Sequence, residues 1–222
     1  MERRWIPQNT ATIQIEERGE GEDKKRVITG YGAVFYRDND PGTEFELWDG
    51  VIERIENGAF DRAIKEKDDA RGLFNHDPNM LLGRVSAGTM ALISDKNGLR
   101  YEIDINDDDP DHERVVRKIQ RGDLTGSSFS FRVKKQEWIG GEEKEPDIRL
   151  IKDVELFDTG PVTFPAYEST TTGVRSELLA EVRSNYNKWK ADLQKEKCKP
   201  VENINRRFNE IKAKEKFGSI PG

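Results

Sequence analysis

The chain has 222 residues, a formal charge of −6 and two histidines; charged residues make up 36% and the hydrophobic set only 34%. A compact domain carries about a quarter charged residues and nearly half apolar ones, so part of this chain stands outside a packed core. The single cysteine, Cys198, excludes an internal disulfide framework and a cysteine-based zinc cluster; the acidic balance argues against general affinity for nucleic acid phosphates, and no apolar run approaches the ~18–20 residues of a membrane helix. The opening MERRWIPQNT also lacks the apolar region of a signal peptide, and the expectation is a soluble intracellular protein.

In chain order, Arg26–Tyr36 is the first segment with β-branched and alternating apolar residues and is predicted to be a strand. Asn57–Asp68 follows as a helix presenting Phe60, Ala63 and Ile64 on one face. Gly83–Ser94 and Leu99–Ile105 are strands joined by the turn signal Lys96-Asn97-Gly98. Asp109–Arg121 carries the marks of a second helix: Asp109 as N-cap, Pro110 at the first position, Val115, Val116 and Ile119 on the buried face, and Gly122 as the stop. Ser127–Trp138 and Leu150–Phe157 are two further strands, with Gly140–Glu145 as a hairpin tip. The sum is a mainly β chain with flanking helices, an α+β class, expected as an antiparallel β-barrel or sandwich with helices packed outside.

The composition shifts near residue 175. Almost all β-like segments precede it, as does every proline except Pro200 and Pro221. Beyond it, Leu178, Leu179, Val182, Tyr186, Trp189 and Leu193 recur at helical spacing within Ser176–Lys199. Pro200 separates this stretch from a second, Glu202–Lys216. The expected organisation is a domain over 1–175 and a charged helical tail over 176–222.

Three segments in the domain hold chemistry-bearing side chains. In Gly126-Ser127-Ser128-Phe129-Ser130-Phe131, a period of two puts both phenylalanines on one face and Ser128 and Ser130 on the other. A nucleophile placed so is fixed by packing, although spacing does not choose between the two hydroxyls. His76, in Phe74-Asn75-His76-Asp77-Pro78, is an imidazole at a strand end or turn, suited to act as a general base. In Ile151–Gly160 the acids Asp153 and Glu155 share one strand face and Asp158 falls on the other if the strand stays regular; a carboxylate there could orient an imidazole. Taken alone, each is equally a surface residue. The acid-rich run Asp104–Glu113 lacks the glycine and glutamate of a calcium loop, with Asp109 and Val115 at those positions, and reads as the capped start of a helix.

Together these segments resemble the prohead serine proteases of tailed bacteriophages, from about Gly30 to Arg175. The resemblance is carried by Gly30-Tyr31-Gly32-Ala33-Val34-Phe35, by Glu53-Arg54-Ile55 with Gly58-Ala59-Phe60, and by Phe74–Pro78 with Leu82-Gly83-Arg84. It continues in Gly122 and Gly126–Phe131 and closes in Val162-Thr163-Phe164-Pro165-Ala166. It implies a fold similar to herpesvirus assemblin, a β-barrel ringed by helices. It also implies a His-then-Ser order, with His76 as base and Ser128 as nucleophile. Asp153 stands where the related herpesviral enzymes place a second histidine, and is the implied third member, with Asp158 as the alternative. Ser130 replaces a glycine of the family motif.

The implied function is a serine endopeptidase, free of metal and cofactor, acting in the host cytoplasm within the procapsid. Its implied partners are the major capsid protein with its scaffolding segment and a second copy of itself, with no membrane and no specific nucleic acid. A non-catalytic capsid-assembly module on the same fold is the alternative.

Overall fold

The computed structural model describes residues 1–6, 13–21, 24–142, 145–164 and 172–197. Contacts divide the chain into two units, Met1–Leu179 and Ala180–Gly222. In the first unit, strands β1 (Glu2–Ile6), β2 (Gln14–Arg18), β3 (Lys25–Val34), β4 (Glu44–Trp48), β5 (Val51–Ile55) and β6 (Arg71–Leu73) come first in sequence. They are followed by β7 (Leu81–Arg84), β8 (Met90–Ser94), β9 (Gly98–Asp104), β10 (Gly126–Ile139) and β11 (Asp147–Val162). Helix α1 (Asp61–Lys65) lies between β5 and β6, and α2 (Pro110–Gln120) between β9 and β10.

The expected β-rich class with few helices holds, but the strands do not pair as a closed antiparallel barrel. They form two sheets, one of four strands in the order β2-β3-β9-β8 and one of seven along β1-β10-β11-β5-β4, with β6 attached to β11 and β7 paired to β6. The seven-stranded sheet is mixed, since β11 runs parallel to both β5 and β6. A long β11 permits this: its first half pairs with β5 and its last turns toward β6, while β10 covers its other edge throughout.

The core lies where side chains of both sheets meet. Phe35, Phe60, Phe129, Phe131, Ile151, Val154 and Leu156 form one buried cluster. Its rings are arranged in low-energy contacts, Phe129 stacked on Phe131 at 4.8 Å and edge-on to Phe60 at 5.8 Å. A second cluster joins Ile28, Tyr101, Ile103 and Leu124 to the apolar face of α2, namely Val115, Val116 and Ile119. Helix α2 has the predicted bounds: the Asp109 carboxylate accepts from Asp111 N at 2.8 Å, and Gly122 takes the left-handed conformation that ends the helix. The neighbouring acids are engaged in ion pairs, Asp107 and Glu113 with Arg26 and Asp111 with Arg114.

Two predicted segments are corrected. Only Asp61–Lys65 of the expected Asn57–Asp68 helix is helical, because Gly58 and Lys67 both adopt positive φ, +91° and +53°, and bracket it. Phe60 and Ala63 are nonetheless buried, as the spacing implied. The expected strand Gly83–Ser94 is two strands, broken by a turn in which Gly88 has φ +73° and the Thr89 hydroxyl accepts from Arg84 N. The β8–β9 hairpin matches the Lys96-Asn97-Gly98 signal: Asp95 accepts from Asn97 N and Gly98 N, and a Cβ at Gly98 would lie 2.0 Å from the Ala33 carbonyl oxygen.

Helix α3 (Thr172–Lys197) covers most of the expected Ser176–Lys199 segment, and the boundary between the two units falls within it. Glu202–Lys216, Pro200 and Cys198 lie outside the described residues. Among the described residues no helix is long and apolar enough to cross a membrane.

Candidate active site

Strand β10 sorts its three serines by burial and partner. Ser127 is fully buried and its hydroxyl lies 2.9 Å from the Tyr101 hydroxyl, within the core. Phe129 and Phe131 share that core face, anchoring the strand, while Ser128 and Ser130 stand on the other. Ser130 is fully buried and donates to Asp158 Oδ2 at 2.6 Å. Ser128 alone is placed against an imidazole: its Oγ is 2.7 Å from His76 Nε2.

His76 reaches this position from a tight turn. The turn Phe74–Asp77 is closed by Asp77 N donating to Phe74 O at 3.1 Å, with Asn75 and His76 both at positive φ, +58° and +57°. Left-handed backbone outside glycine costs about 1–3 kcal/mol and persists where the surroundings over-determine it. Here they do. Asn75 N donates to the Pro161 carbonyl, its side-chain amide donates to Thr163 Oγ1, and its side-chain oxygen accepts from Thr163 N at 2.7 Å. Strand β6 brings the turn beside the end of β11 through the pairs Asp158–Arg71 and Thr159–Gly72. Gly160 makes the approach feasible, since a Cβ there would lie 2.3 Å from the Leu73 carbonyl oxygen.

The other imidazole nitrogen, His76 Nδ1, is hydrogen-bonded to Asp158 Oδ1. Both side chains are almost wholly buried, at 9% and 7% exposure. Burial works to raise the Asp158 carboxyl, but the hydrogen bond and charge of His76, with the Ser130 hydroxyl, outweigh it and hold the group below its ordinary value. A carboxylate on Nδ1 fixes the proton there, leaving Nε2 as an acceptor facing the Ser128 hydroxyl.

The structure thus brings together His76 and Ser128, and it corrects the third position. Asp153 does not meet His76: its carboxylate pairs with Arg62 Nε at 3.0 and 3.1 Å. The reason is a bulge. Ser130 pairs with Asp158 but Phe131 pairs with Leu156, so Phe157 is an extra residue in β11. In a regular strand Asp158 would share the core face of Leu156; the inserted residue turns it to the face of Ser128 and Ser130. Sequence spacing carries no mark of that insertion. Ser130, read there only as a second candidate hydroxyl, instead buttresses the carboxylate. Ser130→Ala should lower kcat about tenfold with KM little changed, by removing a charged-acceptor hydrogen bond of about 1.5–3 kcal/mol; steady-state kinetics on a peptide substrate would check it.

Among the described residues no group of three or more histidine, cysteine, aspartate or glutamate side chains is arranged to hold a metal ion. What the site offers is an imidazole hydrogen-bonded to a serine hydroxyl on one nitrogen and to a carboxylate on the other, an arrangement that suits acyl transfer.

Residues 11–185 match the model of the caudovirus prohead serine protease family, and the chain belongs to that family of phage proteases. A prohead protease of Escherichia phage T5 is 26% identical over 140 residues, covering 63% of this chain and 60% of its own length. The bacteriophage T4 capsid assembly protease aligns over 74% of this chain and all of its own, with 11% identity and a TM-score of 0.42.

Proposed function

We propose that the chain is a serine endopeptidase that acts within the phage procapsid, cleaving the scaffolding segment of the major capsid protein and its own chain during head maturation. The reading rests on His76, which holds Ser128 on one ring nitrogen and Asp158 on the other, together with membership of the prohead protease family. Ser128 Oγ attacks the scissile carbonyl carbon as its proton passes to His76 Nε2. Asp158 keeps the imidazole in the receptive tautomer and stabilises the imidazolium. His76 then returns the proton to the departing amine, and water repeats the sequence to release the acyl group.

The test is intact-mass analysis of wild type beside Ser128→Ala over a day, with a serine-directed phosphonylating reagent as a second readout. Self-cleavage and labelling confined to the wild type support the reading; cleavage that persists in the variant removes Ser128 from the role. The charged segment 176–222 serves on this reading to deliver the protease to its shell. Deleting 177–222 should spare hydrolysis of a peptide in solution and reduce incorporation into procapsids, measured by the protease content of purified particles. Undiminished incorporation would exclude that role.

A further inference from the structure

The edge of the nucleophile strand is occupied by the chain itself. Strand β1 pairs antiparallel with β10, with Trp5 opposite Ser128 and Arg4 opposite Phe129. Its Arg4 carbonyl oxygen lies 2.9 Å from Ser128 Oγ and accepts from it. The hydroxyl has one proton and two acceptors, that carbonyl and His76 Nε2. A main-chain carbonyl of an extended segment laid along the strand thus sits in hydrogen-bond contact with the nucleophile, where a substrate strand added to this sheet would run.

The Arg4 side chain enters a built site. Its guanidinium meets Glu53 in a fork, Nε to Oε1 at 2.5 Å and Nη2 to Oε2 at 3.0 Å, with the Phe131 ring 5.5 Å away. Glu53 is fully buried on β5. Arg149, also buried, donates to Glu53 Oε2 at 2.8 Å and to both carboxylate oxygens of Glu2, at 2.7 and 2.9 Å. Glu2 completes the set by accepting from Arg4 at 2.7 Å. The charge arrangement is separable. Glu53 and Arg149 neutralise one another inside the fold, and β1 brings a matched acid and base, so its departure leaves no net buried charge.

We propose that β1 rests in the seat of a substrate strand, and that buried Glu53 selects a basic side chain on the residue whose carbonyl meets Ser128. The substrate class is then an extended segment of the form Glu-x-Arg, cut after the arginine, with Arg149 reading the acid two residues earlier. This rests on the reading of Ser128 as nucleophile. In the step itself a Ser128 Oγ–carbonyl bond forms, the amide C–N bond after the arginine breaks, and the proton reaches the new amine through His76. Water then takes up the acyl group as a carboxylate and restores the serine.

The experiment uses the full chain carrying Arg4→Glu, which repels β1 from Glu53, or Arg4→Ala should the first variant not fold. With Ser128→Ala added, a fluorescein-labelled peptide of residues 1–10 should bind, by polarisation, about tenfold or more tightly than the same peptide with glutamate in place of its second arginine, as expected for a charged fork. Glu53→Gln should level the two. Equal binding, or none, overturns the inference. With Ser128 intact, mass spectrometry should find the first peptide cut between arginine and tryptophan. Selective binding without any cut keeps the seat and removes the hydrolytic reading. Cuts made without preference for arginine or lysine keep the hydrolytic reading and remove the seat.

Discussion

Ser128→Ala should abolish peptide hydrolysis while leaving the domain folded. Loss of a nucleophile in a serine-type centre costs on the order of 10⁶ in kcat, because no neighbouring group can form the acyl intermediate. Here the nearest substitutes are disqualified by place: Ser127 sits in the core on Tyr101, and Ser130 is held by Asp158 on a fully buried strand position. The structural cost should be small. The alanine removes one hydroxyl that bonds to Arg4 O and His76, about 1 kcal/mol, and the strand remains anchored by Phe129 and Phe131. A thermal melt within a few degrees of wild type, beside an undetectable turnover, is the expected pair of results. Residual turnover near the wild-type rate would mean that another group carries the acyl chemistry.

Much of this placement could be read before any coordinates. The alternation of serine and phenylalanine in Ser127–Phe131 identifies a strand with one apolar face, and the face assignment of Ser128 follows from it. The caps of α2 are explicit in Asp109, Pro110 and Gly122, so its bounds agree closely. What escaped the reading has physical causes. Strands β1, β2 and β4 are rich in charge, and their side chains engage in ion pairs such as Arg4 with Glu53, Arg18 with Glu102 and Glu44 with Arg54, so apolar alternation does not mark them. In Val51–Ile55 the odd positions point inward, so Glu53 stood at a core position of an otherwise apolar face. That was the available sign of a buried acid. Asp158 had no such sign, because its facing depends on a single inserted residue.

The same bulge links the two halves of the site. It aligns Asp158 with Ser130 and His76, and it does so on the strand whose first half carries Arg149 beside Glu53. One long strand therefore carries the carboxylate that meets His76 at one end and Arg149 at the other, while β10 spans the distance between them. On the proposed reading, chemistry and recognition would share this pair of strands, which would hold the site within the tolerance that catalysis requires.

Asp158→Asn and Asp153→Asn separate the two candidate acids by a wide margin. The amide at 158 keeps the shape but loses the charge and can present an N–H to His76, favouring the tautomer that protonates Nε2. A base so blocked cannot accept the serine proton, and kcat should fall by about 10⁴. At 153 the substitution weakens only a partly exposed pair with Arg62, an interaction of about 0–1 kcal/mol, and kcat should stay within about threefold of wild type. A second readout follows from linkage. Burial would raise Asp158, yet the His76 and Ser130 hydrogen bonds hold its folded-state carboxyl below the unfolded value. Its contribution to stability is therefore present above the ordinary aspartate range and lost as pH falls through the depressed folded value. The asparagine variant has no such group to protonate, so its melting temperature should fall less steeply over that acid window than the wild type's. Equal kinetic losses at 153 and 158 would assign the orienting role to neither carboxylate alone, whereas the larger loss at 158 ties the rate to the carboxylate that touches His76.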